Sequence, residues 1–175
     1  FIRFGSFEIF SNRGEIDQLK ELVDYTINNY YSHLGKPSKE VYLAWFKEVC
    51  NLTSKMIVDW MRVGFVHGVM NTDKMSIHGL TIDYGPYGWL EDYNPGWTPN
   101  KTDLRTRRYR YGQQPQIGAW NIARLLEAMV PIMEQPDLLH DVLDGYTNAY
   151  STFQNEMWAM KLGLEEFRDD DESLI

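Results

Sequence analysis

One stretch interrupts an otherwise helical pattern and limits what the chain can fold into. Residues 67–86, HGVMNTDKMSIHGLTIDYGP, combine two acids, an amide and a short β-branched run, and long apolar-periodic segments stand on both sides. Each glycine in an α-helix costs about 1 kcal/mol relative to alanine. Two uninterrupted helices would not carry the glycines found here, which are Gly64, Gly68, Gly79 and Gly85. The sequence therefore predicts a loop with a free backbone between helices.

Four segments carry apolar residues at steps of three and four, the spacing of one helix face. They are residues 15–34, 38–63, 116–133 and 137–162. Residues 87–100 are rich in Gly, Pro, Trp and Tyr, a composition that cannot sustain a helix. The predicted fold class is therefore mainly α.

Short strands are predicted at two places. Residues 1–10 alternate roughly as a strand or a strand-to-linker segment, and residues 80–82, of which Thr81 and Ile82 are β-branched, form a second strand-like run. In the first of these the candidate buried positions are Ile2, Phe4, Phe7 and Ile9. Arg3 points the other way on a strand, which is typical of a solvated edge charge.

Charge and cysteine content exclude several classes of protein. The net charge of −8 argues against a general nucleic-acid binder, and no stretch approaches the ~20 apolar residues of a membrane span. The lone Cys50 cannot form an internal disulfide, so the cytoplasm or another reducing compartment is expected, a mitochondrion if the source is eukaryotic. Cys50 lies in an apolar helical pattern, which favours a buried thiol over a nucleophile.

The domain organisation is expected to be one lobe, residues 1–163, followed by an acidic tail, residues 164–175. The chain begins at Phe1 in mid-pattern and without Met, which suggests a fragment of a longer chain with its N-terminal lobe absent. The sequence leaves the oligomeric state open.

The two acids of the glycine-rich stretch are candidates for metal chemistry. Asp73 and Asp83 lie ten residues apart on either side of the β-branched run, and a turn can bring them together. Converging carboxylates repel unless a cation sits between them, which suits Mg²⁺ bridging phosphate oxygens. A glycine-rich surface loop with solvated acids fits the same residues.

The protein-kinase template fits this stretch in part. That template places His-Arg-Asp-Leu-x-x-x-Asn before Asp-Phe-Gly, with the Asn and the second Asp on the metal ions. His67 matches its His, and the run Asp83-Tyr84-Gly85 resembles Asp-Phe-Gly. The catalytic Asp falls on Val69 and the metal-holding Asn on Lys74, so an ordinary kinase is not indicated. His67 itself is interpreted as a structural hydrogen-bonding residue, since no second His lies at ligand spacing.

Several blocks resemble the selenoprotein O family of protein adenylyltransferases. They are IRFGSFE near the start, GFVHGVMNTDKMSI, GLTIDYGPYGWLEDYNP, RYRYGQQP and WNIARL, in the family's order. The resemblance implies a protein kinase-like C-terminal helical lobe, ATP and Mg²⁺ (or Mn²⁺) as cofactors, and transfer of AMP to Ser, Thr or Tyr hydroxyls of protein substrates. It also implies that Asp73 is the general base, Asp83 a metal and ATP ligand, and Arg3 an arginine that holds the phosphates.

Lys74 departs from the family pattern. The family has Asn-Thr-Asp-Asn where this chain has Asn71-Thr72-Asp73-Lys74, so a metal-ligand amide is replaced by an ammonium. Lys74 is not expected to ligate a metal, and pairing with one or both acids is expected instead. The alternative function is therefore a non-catalytic, pseudokinase-like module that binds a nucleotide or a protein without turnover.

A basic cluster follows the Gly/Pro/Trp/Tyr-rich segment. Residues 101–111, KTDLRTRRYRY, hold five cations in eleven residues of an acidic chain. Such a cluster could hold phosphates or an acidic substrate, and a solvated basic face fits it equally well.

Overall fold

A long buried helix forms the centre of the fold. In the computed structural model, which describes residues 1–133 and 138–174, helix α3 (Lys39–Arg62) carries the large core residues. Trp45, Phe46, Val49 and Ile57 on this helix are completely buried. Ser38 is its N-cap, as the sequence predicts, and its Oγ accepts from the Val41 N–H at 3.3 Å. Such caps stabilise a helix by about 1 kcal/mol.

Within the residues that the structure describes, four further α-helices surround α3 and bury one another's apolar faces. They are α1 (Phe4–Asn12), α2 (Ile16–Tyr30), α4 (Gln114–Met133) and α5 (Leu138–Leu162). Helices α4 and α5 pack on α3, and α1 packs between α2 and α4. The mainly α prediction is confirmed. The predicted start of the last helix at residue 137 lies outside the described residues.

The predicted strand over residues 1–10 is wrong. Strand-like pairing is limited to Arg3, which is extended and bridges Ser76, and helix α1 begins directly afterwards. Phe4 and Phe7 are fully buried, whereas Ile9 is 48% exposed, because the core lies along one helix face. Three-residue spacing, rather than alternation, decides which side chains enter the core.

The predicted strand over residues 80–82 is reduced to one bridge between Thr81 and Met75. The sheet of the described ranges consists of β1 (Phe65–Val66) and β2 (Gly88–Trp89), paired antiparallel with Phe65 opposite Trp89. Strands β1 and β2 stand at the two ends of the glycine-rich loop. Their pairing therefore brings both ends of the loop together at the C-terminal end of α3.

The described parts of the chain also contain five 3₁₀ turns. They are Ser32–Leu34, Thr72–Lys74, Lys101–Asp103, Tyr111–Gln113 and Asp169–Leu174. The last lies on the surface, in the acidic tail. No described helix is long and apolar enough to cross a bilayer.

Cys50 is buried in α3, with 4% of its surface exposed. Burial raises the pKa of its thiol to about 12. The predicted burial of the thiol is confirmed, and the raised pKa disfavours the thiolate that a nucleophile requires.

Candidate functional site

His67 fixes the two ends of the glycine-rich loop to each other. Its ring is fully buried, Nε2–H donates to the Ile82 carbonyl at 2.8 Å, and Nδ1 accepts from the Val69 N–H at 3.4 Å. Burial lowers the pKa of His67 below its ordinary value, so the neutral ring fits both bonds. The structural role predicted for His67 is confirmed, and its bond to Ile82 holds the residue just before Asp83.

Asp83 is the charged centre of the site. Its backbone has a φ of 54°, in the left-handed region that Asp and Asn tolerate better than most residues. Arg3 Nη2 lies 2.9 Å from Oδ2 and 3.2 Å from Oδ1, and Lys74 Nζ lies 3.2 Å from Oδ2. One carboxylate thus holds two cations. The group of three carries net positive charge at a partly exposed position, which favours binding of an anion such as a phosphate.

Arg3 is positioned by backbone bonds and not by its ion pair alone. The Phe4 N–H donates to the Met75 carbonyl at 3.0 Å, and the Ile77 N–H donates to the Ile2 carbonyl at 3.2 Å. These bonds lie on either side of the Arg3–Ser76 bridge. The interpretation of Arg3 as a solvated edge charge is wrong, because the start of α1 aims it at Asp83.

Asp73 lies in the turn Thr72–Lys74, exposed to solvent and against the first turn of α1. A Cβ added to Gly5 would lie 2.1 Å from Asp73 Oδ1, so only glycine leaves room for the carboxylate. The turn is tied to the same helix by a hydrogen bond from the Thr72 hydroxyl to Glu8. No hydrogen bond or ion pair found among the described residues occupies the Asp73 side chain, which leaves its oxygens free to accept a hydrogen bond.

The donor set near Asp83 restricts how a metal can be held. The described residues contain no group of three His, Cys, Asp or Glu side chains that could hold a metal ion. Mg²⁺ is commonly bound through one or two carboxylates plus substrate phosphates, and Asp83 fits that mode. The Lys74 ammonium has no lone pair to give while protonated. Its predicted pairing with an acid is confirmed at Asp83.

Two buried side-chain amides on α4 form hydrogen bonds to the backbone of the glycine-rich loop and of the strand before it. Gln114 accepts from the His67 N–H at 3.0 Å and donates to the Phe65 carbonyl at 2.9 Å. Asn121 donates to the Met70 carbonyl at 2.8 Å. Sequence reasoning missed both amides. Polar residues on the inner face of an apolar helix, completely buried here, were the available signal.

The basic cluster is organised around an acid within it. Asp103, only 6% exposed, accepts from the Thr106 hydroxyl at 2.7 Å and from the N–H groups of Arg108 and Tyr109 at 2.9 and 2.8 Å. The Arg108 guanidinium lies 4.6 Å from the Trp120 ring centroid. This cluster has no described contact with Asp83, and the solvated basic face is the interpretation that these contacts favour.

A profile of the family described as protein adenylyltransferase SelO matches residues 1–175. The chain belongs to this family. Similar relatives are each called protein nucleotidyltransferase YdiU. They come from Xanthomonas euvesicatoria pv. vesicatoria, with 53% identity, Aromatoleum aromaticum, with 51%, and Flavobacterium johnsoniae, with 49%. Each match covers all of this chain and 34% of the relative, so the chain spans about a third of the curated relatives' length.

Proposed function

We propose that this chain is the kinase-like C-terminal lobe of a protein adenylyltransferase, which transfers AMP from ATP to Ser, Thr or Tyr hydroxyls of proteins. Membership of the SelO family supports this proposal, as does the naming of relatives as protein nucleotidyltransferases. On this proposal the chain needs the rest of a longer protein for activity, since it contains no glycine-rich nucleotide loop of the kinase type.

The observation that carries the proposal is the convergence of Arg3 and Lys74 on Asp83. Phosphoryl and nucleotidyl transfer depend mainly on positioning and on neutralising phosphate charge. Arg3 supplies a guanidinium whose backbone is fixed, and phosphate oxygens compete with Asp83 for its N–H groups. A triphosphate that takes up this cation leaves the Asp83 carboxylate paired with Lys74 alone among its described partners.

Asp73 and Asp83 have different roles in this proposal. Asp73 accepts the hydroxyl proton of the acceptor residue, or orients that hydroxyl, because its carboxylate is exposed and free of other described bonds. Asp83 holds Mg²⁺ or Mn²⁺ together with phosphate oxygens. The metal supplies neutralisation of phosphate charge when it is bound.

A second candidate is a binding module without turnover, and the Lys74–Asp83 ion pair favours it. The ammonium lies 3.2 Å from the oxygen that a metal would use, so ammonium and metal compete. In this case the lobe would bind a nucleotide or a protein partner, and the nucleotide would remain intact.

The test is magnesium-dependent transfer of labelled AMP by the full-length protein, compared with an Asp83→Asn variant. Asn tolerates the positive φ of this residue, whereas Ala would add backbone strain of roughly 1 kcal/mol and confuse folding with function. We expect a loss of transfer of about a hundredfold or more in the variant, the usual effect of removing a key electrostatic contact.

Asp59→Asn, at an exposed acid of α3, is the matched control for loss of one charge and should transfer AMP as the unaltered protein does. Equal transfer by Asp83→Asn and the control would contradict the proposal. Nucleotide binding without any transfer in either Mg²⁺ or Mn²⁺ would establish the binding module in its place.

A further inference from the structure

A cavity of about 400 Å³ opens beside strand β2, in the segment that follows the glycine-rich loop. Its lining combines indole rings with acids and an amide: Trp89, Leu90, Glu91, Asp92, Asn94 and Trp97. We call it the acidic cavity. Indole faces attract cations, and carboxylates pair with them, so this chemistry suits a guanidinium or an ammonium.

The acids of this cavity are available to a ligand. Glu91 and Asp92 are exposed, and no hydrogen bond or ion pair in the described part of the chain engages either side chain. The neighbouring cation, Arg107, lines an adjoining cavity that shares Asn94 and Trp97 with the acidic cavity, and it donates to the Gly96 carbonyl at 3.4 Å. Arg107 makes no ion pair with Glu91 or Asp92 in the described part of the chain, so their negative charge is not neutralised there.

The walls of the cavity are held by backbone bonds at both ends. The Leu90 N–H donates to the Gly64 carbonyl at 2.9 Å, and the Trp97 carbonyl accepts from the Tyr111 N–H at 2.9 Å. Asn94 Oδ1 accepts from the Gly96 N–H at 2.9 Å. A site that is already formed loses little conformational entropy when it binds a ligand.

A strip of exposed rings joins the cavity to Asp83. Tyr84, Tyr87 and Trp89 are 59%, 43% and 54% exposed, and their ring centroids are 5.2 and 5.5 Å apart along the strip. Exposed aromatic patches of this kind mark interaction surfaces. An extended peptide advances about 3.3 Å per residue, so one or two of its residues span each step between rings.

We propose that the aromatic strip binds an extended segment of the acceptor protein, and that the acidic cavity takes an arginine or lysine side chain of that segment. This inference rests on the proposed function, because it identifies the bound partner as the protein that receives AMP. The strip begins at Tyr84, the residue after Asp83, so a segment bound along it would extend from the residue proposed to hold the metal and the phosphates. Nucleic acid does not fit, because Glu91 and Asp92 repel phosphates.

The experiment measures binding of labelled peptides to the full-length protein by fluorescence anisotropy. Each peptide contains one Ser and one Arg, and the Arg is moved from one to six residues on either side of the Ser. A partner peptide carries Gln in place of that Arg. We expect one register in which the Arg peptide binds about five- to tenfold tighter, the combined scale of an exposed cation–π contact and ion pairs.

Neutralising the cavity with Glu91→Gln and Asp92→Asn should bring the Arg-to-Gln affinity ratio close to one. The matched control, Asp17→Asn with Glu21→Gln, removes two exposed acids of α2 and should retain the ratio. The described structure gives none of these four side chains a hydrogen bond, so the substitutions remove no hydrogen bond from the fold.

Equal affinity in every register, or a preference that survives neutralisation of the cavity, would overturn the inference. AMP transfer is then measured on the same peptides. A protein that prefers the Arg peptide through Glu91 and Asp92, yet transfers AMP to none, would support the docking surface and contradict the proposed function.

Discussion

Replacing Gly5 with alanine should displace the Asp73 carboxylate while the rest of the site stays in place. The new Cβ would lie 2.1 Å from Asp73 Oδ1 and 3.1 Å from its Cγ, and both atoms belong to a side chain that can rotate away. It would lie 3.4 Å from the Asp73 backbone nitrogen, an ordinary contact, so the loop need not shift. Gly5→Ala therefore acts on the carboxylate alone.

The expected effects on stability and activity have different sizes. Glycine to alanine gains up to about 1 kcal/mol in a helix, and an Asp73 side chain forced off its rotamer costs about 0.5 to 1.5 kcal/mol, so the free energy of unfolding should change by less than about 1 kcal/mol. General-base catalysis contributes roughly 10²- to 10⁴-fold, so AMP transfer should fall about a hundredfold when the base is displaced but present.

Chemical denaturation and transfer of labelled AMP measure the two effects on the same preparation. Calorimetry should show ATP binding within about twofold of the unaltered protein, because the contacts of Arg3 and Asp83 are retained. A twofold change is well below the tenfold change that about 1.4 kcal/mol would produce. Gly145→Ala is the matched control. A Cβ at Gly145, in α5, meets nothing within 4 Å, so this variant should gain stability and keep its activity. Unaltered turnover in Gly5→Ala would refute the role assigned to Asp73.

Three further changes test separate parts of the structure. Lys74→Asn should strengthen magnesium-dependent ATP binding about tenfold by calorimetry, since an ammonium at Asp83 competes with the metal. Partial exposure screens this repulsion and limits the effect. Equal magnesium dependence of ATP binding in both forms would contradict this prediction. Burial lowers the pKa of His67, so below about pH 6.5 the unfolded chain takes up a proton that the folded chain does not, and the free energy of unfolding falls with the pH. In His67→Gln the free energy of unfolding, measured by denaturation at several pH values, should depend less on pH in this range. Gly118→Ala should lower the free energy of unfolding by about 1 to 3 kcal/mol, because its Cβ would lie 2.3 and 2.4 Å from side chains of α5 and α3, whereas Gly145→Ala should not.

The helices could be predicted from sequence because their apolar spacing is long and regular, whereas the short elements could not. In residues 1–10 the pair Phe4 and Phe7 is compatible with a helix, but so few residues cannot decide between helix and strand. Packing decides, since the Phe7 ring lies 5.5 Å from that of Trp45. Residues 80–82 have strand propensity, yet His67 takes the Ile82 carbonyl that a neighbouring strand would need.

In the site, too, a contact between residues close in the chain could be predicted, whereas contacts between distant residues could not be predicted from the pattern alone. Pairing of Lys74 with an acid follows from opposite charges close in the chain. Arg3 and Asp83 are 80 residues apart, and only the family resemblance connected them. The fit of Asp73 against Gly5 could not be predicted, because it depends on where the first turn of α1 lies relative to the loop.

The Phe65 ring links evolutionary changes in the aromatic strip to changes in the site around Asp83. It lies 6.3, 6.1 and 5.4 Å from the rings of Tyr84, Tyr87 and Trp89, and 6.4 Å from that of His67. One side chain therefore supports both the aromatic strip and the histidine that holds Ile82 beside Asp83. Substitutions at Phe65 should alter peptide affinity and nucleotide affinity together, with effects that do not add to those of changes at either surface. If the lobe has the proposed function, a change at Phe65 that adapts the aromatic strip to another acceptor protein must also preserve nucleotide binding.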